Sequence, residues 1–170
     1  VNQAPPRARL FFALWPEPAL RRELARIQHE RVGSGRAVPV ANLHLTVLFL
    51  GLADPAQAMR VADGLRVPPF EVCLRREGYW RNGIHWLAPE STPPELSRLH
   101  DGLREGLAAQ GHAFERRDYR PHVTLARRAR PAPGRALPPL RWPVTDHALV
   151  ESRPRPQGPE YRVLRRWPLG

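Results

Sequence analysis

Two short apolar segments of this chain each carry a histidine and a threonine two places apart. They are His44-Leu45-Thr46 within Leu43–Leu50 and His122-Val123-Thr124 within Arg120–Arg127. Side chains of a strand alternate between faces, so residues i and i+2 share one. His44 and Thr46 are therefore expected on one face, with Leu43, Leu45, Val47 and Phe49 on the other. His122 and Thr124 repeat the pattern against Val123 and Leu125. A strand buried on both faces has no place for an imidazole beside a hydroxyl, because unpaired polar groups are costly to bury. The fold must leave solvent or a cavity over the motif face of both strands. Chance explains the spacing poorly: of only four threonines in the chain, two follow a histidine in this way.

The remaining pattern mixes strands and helices without regular alternation, which predicts an α+β fold with antiparallel sheet. Arg9–Leu14 reads as a first strand ending at Pro16. Glu17–Arg31 places Leu20, Leu24 and Ile27 at helical spacing, ahead of a Gly33-Ser34-Gly35 stop. Asp54-Pro55 is the start signature of a second helix running to about Leu65. Strands follow at Phe70–Arg75 and Ile84–Ala88, with turns at Gly78 and Asn82-Gly83. A third helix begins at Pro93-Pro94, runs through Leu96, Leu99, Leu103 and Leu107, and stops at Gly111. Late strands are expected at Val144–Glu151 and Tyr161–Arg165, and surface loops at Arg128–Pro139 and Arg153–Pro159. A helix followed by a His-x-Thr strand thus occurs once in each half, which predicts an approximate two-fold axis between the motifs. With 170 residues the chain is expected to form a single domain over 1–170.

Composition narrows the chemistry. Net charge is +11, and all 27 basic residues are arginine. Arginine forks onto phosphate and stays charged, so the balance suits a polyanionic partner, although an arginine-biased genome would also explain the missing lysine. Without lysine there is no Walker-type phosphate lysine, no Schiff base and no lysyl-nucleotide intermediate. The single cysteine, Cys73, excludes an internal disulfide and a cysteine zinc cluster, and is expected as a small buried residue. No apolar run is long enough to span a bilayer, and the Leu10–Trp15 run is too short for a signal-peptide core. A cytoplasmic location is the default expectation.

Two imidazoles titrating near neutrality can act together, one as base toward a nucleophile and one as acid toward a leaving oxygen. Hydroxyls two residues away can donate hydrogen bonds to non-bridging phosphate oxygens. The residues therefore point to phosphodiester displacement. Ser34, Ser91, Ser97 and Ser152 lack nucleophile-elbow glycines, and no histidine pair has metal spacing with a carboxylate, so neither a serine hydrolase nor a metal site is expected. His29 and His100 are expected on exposed helix faces, His85 at a strand edge or in the groove, His112 in a loop and His147 in a late strand. The five tryptophans read either as core or as base-stacking platforms.

Three segments resemble the two-histidine phosphoesterases, specifically the RNA 2′,3′-cyclic phosphodiesterases also described as 2′-5′ RNA ligases: Arg9–Leu14, Asn42–Gly51 and Pro121–Arg127. Phe70–Leu74, His85–Leu87 and Tyr161–Leu169 are similar to further strands of that family. The resemblance implies two pseudo-symmetric lobes, with helices outside and a motif from each lobe at a central groove. It implies neither metal nor nucleotide cofactor, a monomer, no membrane or protein partner, and RNA ending in a 2′,3′-cyclic phosphate as substrate. The cyclic phosphate would open to a 2′-phosphate, and some members also make or break 2′-5′ linkages reversibly. His44 would serve as general acid to O3′ and His122 as general base toward water, roles that near symmetry leaves exchangeable.

Thr46 and Thr124 would clamp the phosphate. Arg127 matches a phosphate-contacting position and Phe49 an aromatic near the nucleobase. Strand parity, however, predicts Arg127 opposite to His122, Phe49 on the core face and Leu48 on the motif face. An RNA-binding module without chemistry, and an enzyme for another cyclic phosphate or a 2′-5′ oligonucleotide, remain as alternatives.

Overall fold

The computed structural model describes residues 3–170. Its elements are β1 (Ala8–Leu14), α1 (Pro18–Arg31), β2 (Arg36–Ala37), a 3₁₀ turn (Val40–Asn42), β3 (Leu45–Ala53) and α2 (Pro55–Asp63). They continue with β4 (Phe70–Tyr79), β5 (His85–Pro89), α3 (Pro94–Ala108), β6 (Val123–Arg127), β7 (Arg135–Val144), β8 (Asp146–Arg153) and β9 (Glu160–Pro168). The strands form an antiparallel sheet in the order β7-β4-β5-β6-β3-β1-β8-β9, with β2 paired to β6. This is the expected α+β class. At its middle, β3 and β6 meet through one pair, Leu45 opposite Val123.

One face of the sheet and the three helices enclose the main core. Leu10, Phe12 and Leu14 of β1 point into it, as do Leu45 and Val47 of β3 and Val123 and Leu125 of β6. Helix α3 contributes Leu96, Leu99, Leu103 and Leu107 at the expected spacing, and α1 contributes Leu24 and Ile27. Asp54 caps α2 by accepting the Ala56 amide at 2.9 Å, with Pro55 in the first turn where its missing N–H costs nothing. On the opposite face Phe11, Ala13, Ala148 and Val150 form a second, smaller cluster.

Several expectations are corrected. The Arg128–Pro139 segment is not all loop: β7 starts at Arg135 and pairs with β4 on both sides of an irregularity at 137–139. Pro138, Pro139 and Pro143 lie within it because it is an edge strand, where a missing N–H need not break a ladder on the outer side. Val144 ends β7 rather than opening the next strand. Gly78 is no turn but a residue of β4, where the Trp86 ring lies against it and any Cβ would collide with Cζ2 of that ring. Cys73 is half-buried rather than enclosed.

His85 and His100 are not exposed. His85 is buried on the core side, 3.0 Å from Glu77, and His100 stacks on Tyr119 with centroids 4.2 Å apart. Glu77 itself is buried and also meets Arg31 and Arg135, each at 3.2 Å, so its charge is matched.

His147 is buried between Trp167, stacked at 5.3 Å, and Phe12 at 6.0 Å. Burial pushes its imidazole down to about 4. A histidine neutral in the folded state but titrating near 6.5 when unfolded gives stability that is complete above pH 6.5 and lost as pH falls toward 4. Replacing His147 with Phe should therefore flatten the decline. Urea denaturation at pH 5 against pH 7 should show the variant losing about 2 kcal/mol less than the wild type.

Candidate active site

The pair Leu45–Val123 joins the middle residues of the two His-x-Thr motifs. Both side chains are fully buried, and the motif residues flanking them line one cavity of about 250 Å³ on the other face. Antiparallel direction puts His44 on the side of Thr124 and His122 on the side of Thr46. The histidines are not themselves strand residues: β3 begins at Leu45 and β6 at Val123, one place later than each.

Strand parity fails just beyond each motif, in the same way. On β3, Thr46, Leu48 and Phe49 stand opposite Ala13, Phe12 and Phe11 of β1, which leaves Val47 as an extra residue. Such a bulge shifts the alternation by one. Leu48 consequently turns into the core, and Phe49, 56% exposed, joins Thr46 over the groove. On β6, Thr124 stands opposite Trp86 and Ala126 opposite His85, so Leu125 is the extra residue. Ala126 is buried, and Arg127 turns to the groove beside Thr124. Phe49 and Arg127 thus occupy matching places, each five residues after its histidine. Arg36 of β2 pairs with Arg127 and lines the same cavity, so two guanidinium groups border it.

Each histidine is oriented by the backbone two residues before it. Nδ1 of His44 donates to the Asn42 carbonyl and Nδ1 of His122 to the Arg120 carbonyl, both at 2.7 Å. With the proton held on Nδ1, Nε2 is the free acid–base nitrogen of each ring. Nε2 of His44 accepts from the Thr46 hydroxyl at 2.9 Å. Aromatic rings enclose His44: Trp15 stacks at 5.7 Å, and Phe11 and Tyr161 lie at 4.9 and 5.4 Å. Trp80 meets His122 edge-on at 4.5 Å. Burial first, then the nearby His122, Arg21 and Arg127, pushes His44 down to about 4 against the opposing bond to the Asn42 carbonyl. His122 is also lowered, first by burial and then by Arg127. Both imidazoles are neutral in the unliganded groove at neutral pH, which leaves its positive charge to arginine.

The chain is similar to known proteins over most of its length. The profile of the 2′-5′ RNA ligase superfamily matches residues 16–155. The chain is 38% identical to the RNA 2′,3′-cyclic phosphodiesterase of Thermus thermophilus, covering 95% of this chain and 90% of that one. It is 34% identical to the protein of that name in Escherichia coli, covering 95% and 96%. The crystal structure of E. coli LigT complexed with 3′-AMP superposes with a TM-score of 0.85 at 30% identity, covering 96% of this chain and 99% of that one. The chain belongs to the 2′-5′ RNA ligase superfamily.

In this superfamily member the groove also draws on residues that motif reading missed. Arg21 donates through Nη1 to the carbonyls of Val40 and Leu43, at 2.8 and 2.9 Å, and so braces the turn leading into His44. Asn42 is buried and donates to the Pro159 carbonyl at 2.9 Å, while Arg36 donates to the Gln157 carbonyl at 2.6 Å. Those bonds tie the Arg153–Pro159 segment, read from sequence as a plain surface loop, to the groove wall. Tyr161 lies immediately beyond it. Asn42 and Tyr161 carried a signal, each as part of a segment that resembles the family.

Gln28 is the least expected contributor. From α1 its amide donates to the carbonyls of Val38, at 2.7 Å, and of Leu125, at 2.9 Å, the latter being the extra residue of the β6 bulge. Substituting Gln28 with Leu leaves these buried acceptors short of a donor and should cost about 1–3 kcal/mol in urea denaturation. It should also loosen the β6 bulge beside Arg127, because the Leu125 carbonyl keeps only the Val38 amide.

Proposed function

We propose that this protein opens RNA terminal 2′,3′-cyclic phosphates to 2′-phosphates. The observation that carries the reading is the pair of Nδ1-anchored imidazoles on either side of the Leu45–Val123 seam, above one arginine-bordered cavity. A surface that only held RNA would need the arginines, but not two histidines locked in one tautomer. Water attacks phosphorus as His122 Nε2 takes its proton. The P–O3′ bond breaks and His44 gives O3′ a proton, so phosphate stays on O2′. Thr46, Thr124 and Arg127 hold the non-bridging oxygens, and Phe49 lies against the terminal nucleobase. The enzyme acts in the cytoplasm as a single domain whose halves each supply one motif.

The acid must carry a proton that the free groove withholds. The cyclic phosphate brings a negative charge between the histidines, which favours an imidazolium. Once Nε2 of His44 is protonated it no longer accepts from Thr46, whose hydroxyl is then free to donate to phosphate. Binding energy and acid–base readiness are thereby coupled.

Hydrolysis of an RNA ending in 2′,3′-cyclic phosphate, followed by phosphorus NMR in the presence of chelator, tests the reading. A 2′-phosphate product is expected, with kcat falling at least about 10³-fold in either His44→Ala or His122→Ala. A 3′-phosphate, or turnover that vanishes with chelator, would overturn it.

The pH profile gives a second check. The kcat/KM bell is centred between the free-enzyme values of its acid and base. Since both histidines lie below 6.5, its maximum should fall below that pH, and the maximum of kcat, which reports the anion-bound state, should lie higher. A kcat/KM maximum above pH 7 would contradict the buried, arginine-flanked pair.

A further inference from the structure

Beyond His122, away from the first cavity, the groove face continues over β5 and β4 into a second cavity of about 310 Å³. Its position follows from the register. Trp86 stands opposite Thr124 on one side and Gly78 on the other, and Arg76 opposite Ala88, so Trp86, Gly78 and Arg76 share the face of Thr124. The bare backbone of Gly78 lets the Trp86 ring lie down on the sheet. The Arg76 guanidinium is 5.9 Å from the centroid of that ring, and Trp80 is 5.7 Å from it on the way to His122. Arg120, whose carbonyl orients His122, lines the same cavity. His122 therefore stands between two spaces and belongs to the lining of both.

We infer that this second cavity is a nucleoside subsite, in which the base of an RNA 5′-end stacks on Trp86 and Trp80 and presents its 5′-hydroxyl to His122. The inference rests on the proposed roles of the histidines, since the nucleophile enters from the side of the base. Paired aromatic faces flanked by arginine suit a nucleobase followed by a phosphate backbone, and every base offers a face for stacking. The first cavity holds the nucleotide bearing the cyclic phosphate, and the second holds its partner.

The step balances without a co-reactant. The 5′-hydroxyl gives its proton to Nε2 of His122 as O5′ bonds to phosphorus. The P–O3′ bond breaks and O3′ takes a proton from His44. A cyclic phosphodiester anion and an alcohol become a 2′-5′ phosphodiester with a free 3′-hydroxyl. No nucleoside triphosphate is consumed, so the reaction also runs backward, and cleavage of a 2′-5′ linkage must use both subsites.

Cleavage of a 2′-5′-linked diadenosine is therefore compared with hydrolysis of a short oligoribonucleotide ending in cyclic phosphate, which needs the first cavity alone. Arg76→Ala and Trp86→Ala should lower kcat/KM for the linked substrate about ten- to a hundredfold more than for hydrolysis, as expected for lost stacking. Trp86→Phe should restore most of the difference. Arg76 is exposed, so its variant keeps the comparison sound if Trp86→Ala folds poorly. Equal losses on both substrates would reduce the pair to structural support and overturn the subsite. A wild-type protein that opens the cyclic phosphate but leaves the 2′-5′ linkage intact would also overturn it, with the proposed hydrolysis standing. A protein that does neither would remove both.

Discussion

Leu45 and Val123 face each other, fully buried, at the one place where β3 and β6 pair. Almost everything distinctive about the groove depends on that contact. It joins the four strands β7-β4-β5-β6 to the four strands β3-β1-β8-β9, and it does so through the middle residue of each His-x-Thr motif. Core packing thus sets the separation of the two imidazoles. A residue pair chosen for burial becomes the gauge of an active site on the opposite face, which is why both motifs carry an aliphatic residue between histidine and threonine.

The second constraint is the bulge that follows each motif. In both halves two consecutive buried residues, Val47-Leu48 and Leu125-Ala126, interrupt the alternation and turn the next side chain over the groove. This explains how Phe49 and Arg127 can line the groove while strand parity alone assigns them elsewhere. The motifs, the helix caps and most strands were legible locally, because apolar period and turn residues are properties of a short window. A bulge is a relation between two strands, and its register exists only once the partner is known. The same reason hid Gly78, whose role depends on a ring from β5, and β7, whose prolines are tolerable only at a sheet edge. His85 and His147 were misjudged or unassigned because burial of a histidine depends on distant partners, Glu77 in one case and Trp167 in the other.

Electrostatics completes the arrangement. The groove keeps its histidines neutral by burial and by surrounding them with guanidinium groups, so the resting site is cationic only through arginine. In the proposed function a phosphate anion would answer both features, pairing with Arg127 and favouring a protonated imidazole. The enclosure of His44 by Phe11, Trp15 and Tyr161 is deeper than that of His122, which borders open space on two sides. That asymmetry suits a closed side for the leaving O3′ and an open side for an incoming water or hydroxyl. On the proposed mechanism, two nearly equivalent motifs would acquire different duties from their surroundings.

The claim most central to this account is that two neutral, Nδ1-protonated imidazoles share one anion between their Nε2 atoms. Nitrogen-15 NMR of the histidine rings near pH 7 reads it directly. The account predicts that His44 and His122 are both neutral Nδ1–H tautomers in the free protein, and that binding an adenosine 2′-phosphate protonates one of them at Nε2. Free-state rings titrating at or above 6.5, or tautomers and charge unmoved by the nucleotide, would contradict it.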